Sequence, residues 1–391
     1  MATQSSPFDR GRIRLGMVGG GEGAFIGAVH RIASRIDDNY ELVAGALSST
    51  SEKARRSGEA LGLATDRIYD DYAAMAKAEA ARPDGIEAVA IVTPNHMHAG
   101  PVIAFLEAGI HVICDKPLTV SLAEARRMRA AVEKSGRIFA LTHNYTGYPL
   151  VRRMREMIQS GDLGALRLVQ VEYAQDWLTG PTEKGGNKQA EWRVDPNRSG
   201  AGGALGDIGT HAFNLADFVT GLEVSELAAE LTVFGEGRTL DDNVQILMRY
   251  AGGARGALWA SQVAPGNANG VMLRVYGTKG GLAWRQENPN QLFWSPLNEA
   301  TRIITRAGPE SGAAAGRVTR VPPGHPEGYL EGFANIYSEV AEAIKAARNG
   351  AKRPEGVEFP TLEDGVRGLA FIEAASRSSN ANGKWVTYDA C

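Results

Sequence analysis

The chain has 391 residues, of which 43% are hydrophobic and 22% are charged, with a formal net charge of −3 at pH 7. This length predicts two or three domains, and the composition supplies enough apolar residues for two cores. The small net charge, without a basic block, argues against nucleic acid as a partner. No apolar run approaches the roughly 18 residues that span a bilayer, so we expect no membrane segment.

Cysteine usage and the N-terminus bear on location. Cys114 and Cys391 lie far apart and form neither a metal-binding spacing nor a disulfide framework, which favours a reducing compartment. The first ten residues are polar and lack the apolar core of a signal peptide. We therefore expect a cytoplasmic protein.

Strands and helices alternate along residues 1–147. Mostly apolar runs predict strands, and the segments between them carry helix-capping residues. Such βα alternation predicts an α/β domain with a doubly wound parallel sheet, which binds ligands at the carboxyl ends of its strands. The predicted strands cover residues 12–18, 41–47, 86–92, 110–114 and 138–142.

Residues 148–391 have a different pattern of predicted secondary structure. Many β-type runs with short glycine-rich turns predict an α+β domain with a large, mainly antiparallel open sheet. Two late helices are predicted near residues 328–348 and 362–378, and long loops at residues 176–206 and 298–326. The predicted strands cover residues 166–175, 227–234, 244–250, 255–262 and 272–276.

A glycine-rich turn follows the first predicted strand. Residues 19–21 are all glycine, and a helix-compatible stretch comes soon after. A buried strand that leads through glycines into a helix N-terminus is typical of a pyrophosphate site, because helix N–H groups favour negative charge. The spacing departs from G-x-G-x-x-G, since Ala24 stands at the last position and the next glycine is Gly27. Taken alone, the turn also suits a tight strand–helix connection.

Lys116 stands within Cys114-Asp115-Lys116-Pro117, at the carboxyl end of a predicted strand. From there a lysine can point across the sheet edge toward a bound nicotinamide. Partial burial and the cationic ring would suit the amine to proton exchange with a hydroxyl. The alternative is a solvated lysine in a strand–helix turn.

Asp207 and His211 lie four residues apart in a helical segment that is predicted to run to about residue 219. At that spacing both side chains share one helical face. A carboxylate beside an imidazole forms a proton-transfer pair, because histidine titrates near working pH. The alternative is a capping aspartate beside a core histidine.

Four segments in this order resemble the glucose–fructose oxidoreductase / inositol dehydrogenase / rhizopine catabolism (Gfo/Idh/MocA) family, and the resemblance covers nearly the whole chain. It implies a Rossmann domain over residues 1–147 and a substrate-binding and oligomerisation domain over residues 148–391, with a C-terminal helix that can pack back on the first domain. It also implies hydride transfer between NAD(H) or NADP(H) and a hydroxyl or keto carbon of a sugar or cyclitol. The segments are residues 19–21, Thr93-Pro94-Asn95-His96-Met97-His98, residues 108–118 and Asp207-x-x-x-His211.

The resemblance assigns roles to individual residues. Lys116 matches the family lysine that contacts the reacting oxygen and the nicotinamide ribose. His211 matches the general acid/base, and Asp207 matches the carboxylate that assists it. Where the family commonly has Glu-Lys-Pro, this chain has Asp115-Lys116-Pro117. The shorter acid keeps its charge, so we expect retuned geometry rather than lost activity.

Further residues are expected along the cofactor. They comprise the glycine turn, the end of the second strand, the Thr-Pro-Asn segment, the lysine turn, an asparagine near the nicotinamide, and a Trp-Arg pair that reaches the cofactor from the second domain in some members. The full set is Gly19, Gly20, Gly21, Gly23, Ala24, Phe25, Ser48, Ser49, Lys53, Thr93, Pro94, Asn95, His98, Asp115, Lys116, Asn144, Trp192 and Arg193.

The choice between NAD and NADP stays open at this point. A site selective for NAD commonly has an acid at the end of the second strand, on the ribose 2′-OH. Here Ser48 and Ser49 occupy that position, and Lys53, Arg55 and Arg56 follow. Hydroxyls followed by cations could hold a 2′-phosphate, but the cations are equally consistent with a solvated helix face.

The predicted substrate is a small polyhydroxylated molecule. Besides Lys116, Asp207 and His211, we expect side chains that form hydrogen bonds and stack on rings to face it. These are Tyr145, Gln175, Trp177, Arg193 and His325. No metal is predicted, because His96 and His98 have no cysteine or acid at a ligand spacing.

Three functions are compatible with these residues. The leading one is an NAD(P)-dependent sugar or polyol dehydrogenase. A second is a redox-neutral enzyme that uses its cofactor transiently for elimination or glycoside cleavage. A third is a non-catalytic dinucleotide-binding sensor, although a sensor has no use for Lys116, Asp207 and His211 together. By the resemblance we also expect a homo-oligomer, a dimer or tetramer that assembles through the C-terminal sheet.

Overall fold

The computed structural model describes residues 11–185, 195, 200 and 202–389. These residues form two compact units, and each unit is assembled from separate stretches of the chain. Within the described residues, the first unit comprises residues 11–119, 123–142 and 329–362, and the second comprises residues 120–122, 143–328 and 363–389.

The first unit contains a five-stranded sheet in which every strand is parallel to its neighbours, in the order β2-β1-β3-β4-β5. This confirms the predicted parallel sheet. Apolar runs form these strands because helices cover them: every residue of β3 is buried. The strands are β1 (Ile13–Gly19), β2 (Tyr40–Ala46), β3 (Ala88–Val92), β4 (His111–Cys114) and β5 (Phe139–Leu141).

The second unit contains a nine-stranded sheet in the order β13-β12-β11-β10-β6-β9-β8-β7-β14. All its pairs are antiparallel except β6 with β9, which confirms the predicted large, mainly antiparallel sheet. The strands are β6 (Leu166–Ala174), β7 (Val224–Thr232), β8 (Asn243–Tyr250), β9 (Arg255–Ser261), β10 (Gly270–Gly277), β11 (Gly280–Arg285), β12 (Gln291–Pro296), β13 (Arg302–Thr305) and β14 (Val386–Thr387).

The α-helices of the described residues belong to both units. Those of the first unit cover the parallel sheet, and the others belong to the second unit. They are α1 (Phe25–Ile36), α2 (Ser51–Ala60), α3 (Tyr72–Ala81), α4 (Ala99–Glu107), α5 (Leu122–Ser135), α6 (Pro149–Gln159), α7 (Thr210–Thr220), α8 (Gly312–Arg317), α9 (Tyr329–Arg348) and α10 (Leu362–Asn380). None of the helices in the described part of the chain is long and apolar enough to cross a membrane.

Helix α9 belongs to the first unit, although it is far from the other segments in sequence. Its buried residues Ile336, Val340 and Ile344 share one apolar core with Leu15 of β1 and Val29 of α1. Each fully buried aliphatic side chain contributes about 1.5–3 kcal/mol to folding. The late helix is therefore a structural part of the parallel-sheet unit.

The prediction that residues 298–326 form a loop was wrong in part. It contains strand β13 and helix α8. β13 gains its hydrogen bonds by pairing with β12 at the sheet edge, and its Ile303 remains exposed. This short strand carries little apolar patterning of its own, so pairing rather than local sequence determines it.

Candidate functional site

The glycine turn between β1 and α1 has a backbone conformation and close contacts that require glycine. Gly19 and Gly20 have φ of 78° and 71°, a region that L-residues rarely adopt. A Cβ on Gly21 would lie 2.5 Å from the carbonyl oxygen of Leu47, and one on Gly27 would lie 2.4 Å from Gly20 Cα. Gly27 therefore provides the close helix–strand approach that the position of Ala24 does not.

This turn fits the pyrophosphate of a dinucleotide. Helix α1 begins without a side-chain cap, since Ala24 is its N-cap, and no acid lies in its first turn. Its first N–H groups and its dipole therefore remain suited to an anion. A cavity of about 730 Å³ borders the turn, and its lining includes Phe25, Arg31 and Ser57. The exposed Phe25 and the predicted residue Gly23 both belong to this lining.

The end of β2 carries hydroxyls and a paired set of charges. Ser48 Oγ accepts from the Thr50 amide at 3.3 Å, and Ser49 is exposed. Arg56, on α2, lies 2.9 Å from the Glu52 carboxylate and 3.3 Å from that of Glu22. Arg55 pairs with Glu59 at 3.0 Å, and Lys53 is half-buried. Arg55 and Arg56 are thus both paired with carboxylates.

The lysine turn follows β4. Asp115 Oδ1 accepts from the Lys116 backbone N–H and from Thr142 Oγ1, each at 2.9 Å. Burial alone would raise the pKa of Asp115, but the nearby His30, Lys116 and His98 together lower that pKa to about 2. The Asp115 carboxylate is therefore ionised at neutral pH and holds the backbone of half-buried Lys116.

His98 joins two strand-end turns of the parallel sheet. It is fully buried, its Nδ1 lies 2.8 Å from the Pro117 carbonyl oxygen, and its Nε2 lies 2.8 Å from that of Thr93. Asn95 is buried in the 3-10 turn that precedes His98. The structure thus brings the Thr-Pro-Asn segment and the lysine turn together.

In the second unit, Asp207 lies on a π-helical turn, Leu205–Gly209, rather than on the α-helix, which begins only at Thr210. π-helical turns are frequent at functional sites. Asp241 holds this segment, because its Oδ1 accepts from the Gly203 N–H at 2.8 Å and its Oδ2 from the Leu205 N–H at 2.7 Å. The backbone around Asp207 is therefore anchored to the segment that leads into β8.

His211 is buried and lies among aromatic rings. The Tyr145 ring centroid is 5.0 Å from that of His211, and the Tyr173 centroid is 6.1 Å away. The Nδ1 atoms of His143 and His211 are 3.5 Å apart, with the two rings nearly perpendicular. These neighbours restrict the orientation of the His211 imidazole.

Asn269 connects two of the predicted substrate residues, Tyr145 and Gln175, although the sequence motifs did not predict it. Its Oδ1 accepts from Tyr173 Oη at 2.8 Å and from Gln175 Nε2 at 3.0 Å, and its Nδ2 donates to Tyr145 Oη at 3.3 Å. Trp177 Nε1 donates to Gln175 Oε1 at 3.0 Å. Asn269 precedes β10 in a polar turn, and no local pattern marks it.

Four predicted site residues remain: Asn144, His325, Trp192 and Arg193. Asn144 is buried, and its Nδ2 has no hydrogen-bond partner among the described residues, so an amide donor is available there. His325 is exposed, and its backbone oxygen accepts from Arg306. Trp192 and Arg193 lie outside the residues that the structure describes.

Comparison with protein families agrees with both units. Residues 13–143 match the model of an oxidoreductase family with an NAD-binding Rossmann fold, and residues 151–283 match the GFO/IDH/MocA C-terminal domain. The chain belongs to the Gfo/Idh/MocA oxidoreductase family. The resemblance stated from the sequence motifs is confirmed.

Three relatives illustrate the similarity. An oxidoreductase structure from Sinorhizobium meliloti is 58% identical, with a TM-score of 0.87, over 96% of this chain and 99% of that chain. An inositol dehydrogenase homologue from Azotobacter vinelandii, complexed with NADH and myo-inositol, is 35% identical, with a TM-score of 0.90 over 96% and 98%. Levoglucosan dehydrogenase of Pseudarthrobacter phenanthrenivorans is 29% identical over 96% of this chain and 97% of that protein.

Proposed function

We propose that this protein is a dehydrogenase that oxidises a secondary hydroxyl of a cyclitol or cyclic sugar, and that it reduces the matching ketone in the reverse direction. The observation that carries the proposal is the setting of His211, a buried imidazole among tyrosine rings whose hydroxyls belong to a hydrogen-bonded amide network. Such a setting suits proton transfer on a ring with several hydroxyls. The relatives named for inositol and levoglucosan support this substrate class.

His211 is the proposed general acid/base. It takes the hydroxyl proton during oxidation and returns it during reduction, a contribution of typically about 10²–10⁴-fold. Asp207 assists as a nearby negative charge that favours the imidazolium. Tyr145 and Gln175 are proposed to hydrogen-bond the other hydroxyls of the ring.

Lys116 is proposed to stabilise the developing alkoxide on the reacting oxygen. A preorganised cation there is worth about 3 kcal/mol or more of transition-state stabilisation. Asp115 supports this role, because it fixes the Lys116 backbone N–H. When bound, the nicotinamide supplies the hydride acceptor or donor. Asn144, with its buried amide donor, is proposed to orient that end of the cofactor.

For the cofactor we propose NAD(H) rather than NADP(H). Arg56 is engaged by Glu22 and Glu52, and Arg55 is engaged by Glu59. These carboxylates offset the cations that a 2′-phosphate would need, and Glu22 would repel such a group. The NADH in the Azotobacter vinelandii homologue supports the same choice.

We also propose that the protein is a homo-oligomer that assembles through its nine-stranded sheet. One face of the sheet is partly solvent-accessible and carries the exposed side chains Leu168, Leu247 and Tyr276. A groove of about 440 Å³ on this face is lined in part by Trp259 and by Arg274, which pairs with Glu172. This mixture of exposed apolar side chains and paired charges fits a second copy of the same surface.

The function is tested by nicotinamide absorbance with purified protein, NAD or NADP, and a panel of inositols, levoglucosan and aldoses. Reduced cofactor that accumulates with one polyol, and is lost in Lys116→Ala, supports the dehydrogenase. Lys134→Ala, an exposed lysine on α5, is the matched control and should retain activity. Cofactor binding without accumulation across the panel would favour the redox-neutral enzyme or the sensor.

A further inference from the structure

Each ring nitrogen of His98 faces a group that can only accept hydrogen bonds. Both ring nitrogens lie 2.8 Å from backbone carbonyl oxygens, Nδ1 from Pro117 and Nε2 from Thr93. A carbonyl oxygen cannot donate, and a neutral imidazole carries only one N–H. In the neutral form, one nitrogen lone pair would face an oxygen lone pair at 2.8 Å. Both contacts are hydrogen bonds only if both nitrogens are protonated.

A buried cation needs a compensating charge nearby. His98 is fully buried, and the Asp115 carboxylate in the adjacent turn supplies that charge. His30 of α1 faces the same carboxylate, with its Nε2 3.8 Å from Asp115 Oδ1, and Lys116 also acts on it. The Asp115 carboxylate therefore lies close to His98, His30 and Lys116 together.

Tyr337 of α9 determines how His30 takes part in this cluster. Its hydroxyl lies 2.8 Å from His30 Nδ1, and burial, together with the Asp115 charge, raises its pKa well above the ordinary range. The neutral Tyr337 hydroxyl can donate to Nδ1, which leaves an N–H on Nε2 directed to Asp115. In this tautomer the Nε2 edge of His30 faces the carboxylate at 3.8 Å. His98 remains the histidine whose own contacts require two protons.

We propose that His98 is a buried imidazolium that positions Lys116. It ties the carbonyl of Thr93, at the end of β3, to that of Pro117, directly after the lysine. The Lys116 backbone is then held on both sides. Asp115 accepts from the Lys116 N–H, and His98 contacts the carbonyl oxygen of the following residue, Pro117. His98 acts through the backbone rather than by contact with substrate. The functional part of this inference rests on the proposed role of Lys116.

The charge state is tested on the protein alone by ¹⁵N NMR of histidine side chains near neutral pH. A doubly protonated ring gives two similar nitrogen shifts, whereas a neutral ring gives two widely separated ones. The His98 signal is assigned by its loss in His98→Gln, and the exposed His96 and His325 serve as internal references. We expect the imidazolium pattern for His98 at a pH where both references are neutral. A neutral-ring pattern for His98 would overturn the proposal.

The positioning role is tested by kinetics of His98→Gln, which keeps an amide donor but carries no charge. We expect kcat to fall by about tenfold or more, with the Kd for NADH and the substrate KM changed less than about threefold. His96→Gln, two residues away and exposed, should match the parent protein. An unchanged kcat in a folded His98→Gln would refute the positioning role. If no substrate is found at all, the proposed function fails while the NMR result still decides the charge.

Discussion

Gln262 donates a hydrogen bond of 2.9 Å from its Nε2 to Oδ2 of Asp207. Gln262 lies just beyond the end of β9, and Asp207 lies on the π-helical turn, so 55 positions of sequence separate the partners. A neutral amide donor orients a carboxylate without discharging it. This contact holds the Asp207 carboxylate in a fixed orientation, which suits its proposed role beside His211.

Gln262→Glu should shift the pH dependence of the reaction. A second carboxyl beside Asp207 raises the pKa of the pair, because two like charges disfavour ionisation. We expect the acidic limb of the kcat/KM profile to move upward by about one pH unit. Gln159→Glu, at the exposed end of α6, adds the same charge elsewhere and should leave the profile unchanged. Superimposable profiles for the parent and Gln262→Glu would contradict this account of Asp207.

Asp241 should make stability depend on pH. Burial raises its pKa to about 6, against an ordinary value of 3.8, although the N–H groups of Leu205 and Gly203 oppose this rise. The folded protein therefore binds this proton more tightly than the unfolded chain does. Its contribution to stability falls as pH rises from about 4 to about 6, by at most about 3 kcal/mol.

The measurement is the free energy of unfolding in urea for the parent and for Asp241→Asn, across that pH range. The asparagine does not titrate, so the difference between the two proteins isolates the carboxyl. We expect the parent to lose stability relative to the variant as pH rises. A difference that stays constant with pH would show that folding does not change the pKa of Asp241, and a change in the opposite direction would show that folding lowers it; either result would contradict the raised pKa.

Gly27→Ala should disrupt the glycine turn. The new Cβ would lie 2.4 Å from Gly20 Cα, and backbone cannot move aside as a flexible side chain can. We expect a loss of about 1–3 kcal/mol in stability and weaker NADH binding by fluorescence titration. Gly316→Ala in α8 is the control, because its Cβ would meet no atom within 4 Å. Equal behaviour of the two variants would remove Gly27 from the proposed pyrophosphate site.

Glu22 should contribute to the choice between NAD and NADP. The parent is expected to prefer NAD by at least about tenfold in kcat/KM, and Glu22→Gln is expected to narrow that ratio, because one repulsive charge is removed and Arg56 is partly freed. Glu107→Gln, exposed at the end of α4, should leave the ratio alone. A parent protein that prefers NADP would refute the assignment of these pairs.

The apolar runs in residues 1–147 allowed the parallel sheet of the first unit to be predicted. Apolar runs such as residues 86–92 mark buried strands, and β3 occupies Ala88–Val92. Loop and edge elements were harder, because β13 depends on pairing with β12 and α8 is composed largely of Gly and Ala. Helical patterning needs longer, more periodic segments than these.

The candidate site was predictable only where motifs mark it. Lys116, Asp207 and His211 stand in recognisable spacings. Asn269 and Gln262 do not, because their partners lie far away in the sequence and meet them only in the folded protein. Side-chain networks of this kind leave no local periodicity.

Deuterium transfer tests the central claim most directly. The protein would be incubated with NAD and a ring-deuterated cyclitol or anhydrosugar that is active in the absorbance panel, and the reduced cofactor would be examined by mass spectrometry. If the carbinol hydrogen is transferred, each molecule of reduced cofactor carries one deuterium. We expect His211→Gln to slow the reaction by about 10²–10⁴-fold. Product formation without deuterium in the released cofactor would contradict a dehydrogenase.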